Sequence, residues 1–138
     1  MKSPLQTLSR IQKWNIDEQR KILANYMEEE IKTEKEIERA NLEYENEKEF
    51  SEENPLLGDF GAYTKKYIRY RNRLEKRLKA IREKISELRD IITELFKEQK
   101  TYDIVDEGRQ KREEQELAHK EQQMLDEIGT NNYIKTNK

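Results

Sequence analysis

Between Tyr67 and Tyr102 an apolar residue returns every seven positions, at Tyr67, Leu74, Ile81, Leu88, Leu95 and Tyr102, and Leu78, Ile85 and Ile92 fill the alternate positions at the same period. Steps of four and three are the a/d pattern of a coiled coil, because they keep one narrow stripe of an α-helix turned toward a partner helix. The residues between the seam positions are mostly Lys, Arg and Glu, so the rest of such a helix is hydrated. The stretch therefore demands a second helix.

Composition makes the same demand. Of 138 residues, 42% are Asp, Glu, Lys or Arg and 33% are hydrophobic, with 4 Gly and 2 Pro. That suits long solvated helices and leaves too little apolar volume for a multilayer core, so a single coiled-coil domain over residues 1–138 is expected. Without cysteine the chain can form neither a disulfide framework nor a thiolate metal site, and a reducing cytoplasm suits it. No targeting signal is apparent and no window approaches the ~20 apolar residues of a membrane span, so no direct membrane insertion is expected. The formal net charge of −2 argues against a general nucleic-acid binder.

The first helix is expected over about 4–50, opened by Ser3-Pro4, a capping residue followed by proline in the first turn. Leu5, Leu8 and Ile11 begin its apolar stripe, and Ile16, Leu23, Ile37 and Tyr44 share one seven-residue series whose missing member is Glu30. Asn54-Pro55 ends this helix, because proline disfavours helical geometry in the residue before it. The stretch Ser51-Glu-Glu-Asn-Pro-Leu-Leu-Gly-Asp-Phe-Gly-Ala62 reads as a turn, with Asp59 or Thr64 as the next cap. Helix two is expected over about 63–128, stopped by Gly129 and followed by a frayed tail, 129–138. Gly108, inside it, is expected to mark a bend.

A short turn between long helices folds them back antiparallel, and the charges agree. With the turn centred near Leu56, residue i faces residue 112 minus i, so segment 28–53, with 12 acids and 4 bases, faces segment 59–84, with 10 bases and 3 acids. Farther out, segment 5–27 carries 4 bases and 2 acids and faces segment 85–107, with 3 bases and 7 acids. Each exposed ion pair contributes only ~0.2–1 kcal/mol, so this pattern selects the register more than it holds the fold. The expectation is an all-α fold: a long two-helix antiparallel coiled-coil hairpin, monomeric when free, with an overhanging C-terminal helix.

By that register nothing in the chain faces residues beyond about Gly108. The overhang still carries Leu117, Met124, Leu125 and Ile128. An apolar helix face that a monomer cannot bury is a place for another protein to bind. Catalysis has little to stand on. The single histidine, His119, lies among Lys and Glu of the overhang, and the pairs Glu113 with Glu116 and Asp126 with Glu127 read as solvated helix charges. No catalytic residue, metal site or cofactor is expected, and no glycine-rich phosphate loop is present.

The short motifs Leu5-Gln-Thr-Leu8, Asp17-Glu-Gln-Arg-Lys21 and Glu43-Tyr-Glu-Asn-Glu47 lie in helix one. Tyr67-Ile-Arg-Tyr70, Leu74-Glu-Lys76, Glu94-Leu-Phe-Lys-Glu98 and Leu125-Asp-Glu-Ile-Gly129 follow in helix two. In this order, at this length and with unequal helices, the chain resembles the FliJ family, coiled-coil stalk proteins of the flagellar type III export apparatus, closest to its alphaproteobacterial form. The resemblance implies a non-enzymatic stalk in the cytoplasm at the flagellar base. Its paired terminal helices would enter the ring of the hexameric export ATPase, and its other end would meet the cytoplasmic domain of the export gate, with export chaperones as further partners.

The resemblance places gate contacts on Tyr44, Tyr67, Tyr70 and Leu74; a second aromatic of the family pattern, shortly after Tyr44, is Lys48 here. For the ATPase, the unpartnered stripe and the family agree on the open end: Leu5, Leu8 and Ile11 with Arg109, Arg112, Leu117, Met124, Leu125 and Ile128. Two other classes fit the composition, a self-associating coiled-coil scaffold and a nucleic-acid binder using the basic residues of 65–84. Against the second stands the acidic helix expected to face that block.

Overall fold

The computed structural model describes residues 3 to 136. The protein has two helices, α1 (Pro4–Glu53) and α2 (Phe60–Thr136), with no strand among the described residues. They run against each other as a helical hairpin, the architecture that the seam demands.

Local chemistry sets most helix ends where the sequence places them. The Gln6 amide donates to Ser3 Oγ over 3.2 Å and the Ser3 amide to Gln6 Oε1 over 3.2 Å, a reciprocal capping box with Pro4 in the first turn. At the other end of α1 the Asn54 amide and side chain both donate to the Phe50 carbonyl, at 2.9 and 3.1 Å. The Asn54 carbonyl then accepts from Leu57 at 3.0 Å across Pro55, and Gly58 takes φ = 77°, a left-handed conformation that glycine adopts without a Cβ clash. Asp59 caps α2 by accepting the Ala62 amide at 3.1 Å. Thr64, the other candidate cap, lies inside the helix. The turn is thus confined to residues 54–59, narrower than the expected 51–62.

The far end of α2 differs from expectation. The helix does not stop at Ile128 but runs through Gly129 to Thr136, whose Oγ1 donates back to the Asn132 carbonyl at 2.7 Å. A glycine stops a helix by turning left-handed; Gly129 keeps a negative φ. Its ~1 kcal/mol propensity cost does not outweigh helical neighbours on both sides. Gly108, expected to bend the helix, likewise lies within the unbroken α2. Residues 137 and 138 of the expected tail lie outside the described residues.

Two compact units divide the chain, residues 15–94 and residues 1–14 with 95–138. In the first, α2 contributes Leu74, Leu78, Ile81, Ile85, Leu88 and Ile92, all buried. Each supplies ~1.5–3 kcal/mol on full burial. The α1 side differs in kind: beside Ile16 it buries Thr33 and Ala40. Thr33 is 1% exposed and its hydroxyl is satisfied by the Glu29 carbonyl of its own helix at 2.7 Å. The buried side chains of α1 are thus fewer and smaller than the row of Leu and Ile on α2. Glu30, the gap in the apolar series, accepts from Arg82 Nε at 3.3 Å, and Glu34 accepts from Arg82 Nη2 at 2.8 Å. Hydrogen bonding to Glu34 first, and to Glu30 as well, holds this guanidinium still further above its ordinary range. The pair of Arg82 with Glu30 falls on the expected register.

The second unit is held by polar contacts. Among the described residues its buried ones are Ser9 and Asp106, not leucines. Ser9 Oγ donates to Asp103 Oδ1 at 2.7 Å, on the expected register again, and Gln12 donates to Glu98.

Candidate functional site

The residues expected to contact an ATPase ring all fall in that second unit. Its geometry starts from Asp106. This residue lies at seven-residue multiples from Leu78, Ile85 and Ile92, so it occupies a seam position, and it is 9% exposed. Its Oδ1 accepts from Ser3 Oγ at 2.9 Å and its Oδ2 from Gln110 Nε2 at 3.2 Å. A carboxylate at the N-terminus of α1 also complements the positive end of that helix. Since Ser3 caps α1 and stands beside Asp106, α2 has no α1 residue facing it beyond Gly108.

From 109 to 136 every described residue of α2 is exposed. Leu117, Met124 and Ile128 stand one, two and three turns apart on one helical face with Leu125 at its edge, and Leu117 is 59% and Leu125 62% exposed. Arg109 pairs with Glu113 of its own helix at 3.3 Å, while Arg112 makes no ion pair among the described residues. On α1, Leu5 is half-buried against the seam, but Leu8 and Ile11 turn outward. The expected continuous stripe of Leu5, Leu8 and Ile11 is therefore split, because Ser9 and Gln12 take the seam positions. The open end presents two separate apolar strips, one on each helix.

Near the turn the structure builds an aromatic cluster from four side chains. The rings of Tyr44 and Tyr67 stack with centroids 4.2 Å apart and 11° between planes. Phe60 and Tyr63 extend the stack, at 5.5 and 6.3 Å from Tyr44. Tyr67 donates its hydroxyl to Asn41, Tyr44 lies 3.5 Å from the Thr64 hydroxyl, and the Arg71 guanidinium stands 5.7 Å from the Tyr67 ring centroid. Burial, then the charges of Glu47 and Glu43, push the Tyr63 phenol up from its ordinary value.

This placement separates the four expected gate residues. Leu74 is 5% exposed, in the seam position that its spacing gives it, so the closed hairpin offers a partner almost none of it. Tyr44 and Tyr67 are half-buried and engaged with each other. Tyr70 alone of the four faces solvent, with the Arg73 guanidinium 5.8 Å from its ring centroid. Sequence reasoning did not single out Ser9, Asp106 or Thr33. All three sit on heptad positions, but their polarity hid them from a search for apolar residues.

Among the described residues no group of three His, Cys, Asp or Glu side chains converges to hold a metal ion, and His119 is exposed. None of the described helices is long and apolar enough to cross a membrane. No known protein family, curated protein or solved structure matches the chain.

Proposed function

We propose that this chain is a non-enzymatic stalk that binds a hexameric export ATPase with its open end and promotes that enzyme's assembly or turnover. On this reading it works in the cytoplasm at the flagellar base, with the export gate at its other end and export chaperones as further partners. One observation carries the reading: residues 109–136 continue as helix with no partner helix among the described residues, yet keep Leu117, Met124, Leu125 and Ile128 on the surface. A stalk inside a cycling ring must not lock to one subunit. Scattered apolar side chains beside arginine, which engages carboxylates and carbonyls in several geometries, suit many weak contacts. At the gate end the available surface is Tyr70 and the outer edges of the aromatic cluster.

The decisive measurement is ATP hydrolysis by an export ATPase with and without this protein. Stimulation is expected, and Leu125→Ala combined with Arg112→Ala should reduce it while helix content by circular dichroism stays unchanged. Normal stimulation by that double variant would remove the open end from the mechanism. Absence of any effect of the native chain on the ATPase would favour the scaffold reading.

A further inference from the structure

We propose that the outward face of α2 in the unit 15–94 is a docking surface for a second copy of the same face, paired antiparallel about a two-fold axis near Lys79 and Ala80.

The argument begins with heptad positions. With Leu74, Leu78, Ile81, Ile85 and Leu88 buried, the helical positions farthest from the seam are fixed, and they fall into two halves of opposite charge. From Lys65 to Lys79 the outward residues are Lys65, Lys66, Arg69, Asn72, Arg73, Lys76 and Lys79, without one acid. From Ala80 to Asp90 they are Glu83, Ser86, Glu87 and Asp90, without one base. All are exposed.

The acidic segment of α1 does not neutralise the basic half. Arg82, at the flank of α2, is the base that reaches Glu30 and Glu34. Glu75 turns to Arg71 of its own helix at 3.3 Å. Among the described residues Lys65, Arg69 and Lys76 form no ion pair, and Arg73 stands over Tyr70. The reason is distance. The outward face lies across a helix ~10 Å in diameter from α1, about one Debye length at physiological salt. Like charges three and four residues apart also repel along the face, so it gains from a partner.

Which partner fits follows from the order of the signs. Turned end for end, the face is its own complement: Arg69 meets Asp90 of the second copy, Lys76 meets Glu83, and Arg73 lies beside Glu87, and the two-fold repeats each pair. An isologous contact of this kind closes at two chains. Glu87, which already holds Lys84 at 3.4 Å, can exchange one exposed pair for another at little cost. Nucleic acid fits less well. The basic half runs only ~17 Å along the helix at 1.5 Å per residue, and a strand tracking past Lys79 meets Glu83, Glu87 and Asp90. The contact is polar, so the dimer is weak and salt-sensitive, and it replaces the monomer expected for the free chain. It does not depend on the export reading and uses no open-end residue.

Sedimentation velocity of the full chain tests it, at ~10 mM salt, where the Debye length is ~30 Å, and at ~1 M, where it is ~3 Å. A dimer at low salt that becomes a monomer at high salt is expected. Arg69→Glu with Lys76→Glu sets acids against Asp90 and Glu83 of the second copy, and Glu83→Lys with Asp90→Lys sets bases against Lys76 and Arg69. Each double variant alone should be monomeric at low salt, with native helix content, and an equimolar mixture of the two should form a heterodimer, since it restores the same four opposite-charge pairs. A native chain that stays monomeric at low salt overturns the proposal, as does a mixture that fails to associate. Binding of a twenty-nucleotide single-stranded DNA that is lost on Arg69→Glu with Lys76→Glu, by a chain that is monomeric throughout, would instead make the basic half a polyanion site.

Discussion

Ser3 donates its hydroxyl hydrogen to Asp106, 103 residues later in the chain, across 2.9 Å. The same oxygen accepts the Gln6 amide that opens α1, so one side chain starts the first helix and fastens it to the second. Leu5, two residues on, is only half-buried. The open end is held by such bonds, each contributing ~0.5–1.5 kcal/mol net, whereas the unit 15–94 is held by buried Leu and Ile.

Replacing Asp106 should therefore loosen the start of α1. For Asp106→Ala, amide hydrogen exchange across residues 4–14 is expected to accelerate about tenfold, corresponding to ~1–2 kcal/mol of local stability. Exchange of the amides around Ile81 and Ile85 should not change. Asp106→Asn keeps an acceptor for Ser3 and should recover part of the protection. Equal acceleration everywhere would mean that the polar contact supports the whole hairpin.

Tyr44 is the hub of the aromatic cluster, in contact with Phe60, Tyr63 and Tyr67. Tyr44→Ala should cost about 2–3 kcal/mol in urea unfolding, below the full core value because the ring is half-exposed. Tyr44→Phe should stay within about 0.5 kcal/mol of the native chain, since it keeps the stack and loses only a long hydroxyl contact. An equally large loss for phenylalanine would place the stabilisation in the hydroxyl.

Tyr63 sets a pH dependence. Its phenol is raised above the ordinary 10.0, through burial first and then Glu47 and Glu43. The folded chain therefore holds this proton more firmly than the unfolded chain does, so the contribution is fully present below pH 10 and is lost as pH rises through the folded value. Ultraviolet titration should show the Tyr63 phenol ionising late, and Glu47→Gln should bring it earlier. A Tyr63→Phe variant that leaves the late step intact would assign it to another ring.

Gly108 and Gly129 of α2 stand where alanine fits. A Cβ added at Gly108 or Gly129 would meet nothing within 4 Å, and neither has a positive φ. Each change to alanine should stabilise the local helix by ~1 kcal/mol. Slower hydrogen exchange around 104–112 in Gly108→Ala is the readout, and unchanged exchange there would count against local weakness at this glycine.

The clamp of Arg82 by Glu30 and Glu34 should be worth little despite its geometry. A double-mutant cycle of Arg82→Ala with Glu34→Ala is expected to give only a small coupling at low salt, falling as salt rises. A larger, salt-independent value would mean that the pair is shielded from solvent.

The sequence by itself determined the seam, the pairing and the starts of both helices. Leu74, Leu78, Ile81, Ile85, Leu88 and Ile92 are buried as their seven-residue spacing requires, because that spacing fixes which side of a helix an apolar group occupies whatever the partner is. Ser3 and Asp59 cap as they do because a cap needs only its own first turn. Three features were decided by tertiary structure alone. Thr33, Ser9 and Asp106 are core residues only because α1 and α2 approach closely there; Ser9 and Asp106 find partners on the other helix, while Thr33 bonds the Glu29 carbonyl of its own. Leu8 and Ile11, apolar and correctly spaced for a stripe, face solvent since Ser9 meets Asp103 and claims the seam. Tyr44 and Tyr67 are one stack rather than two exposed rings because the register brings them face to face. In each case the deciding quantity is a distance between groups far apart in the chain, and only the folded hairpin sets that distance.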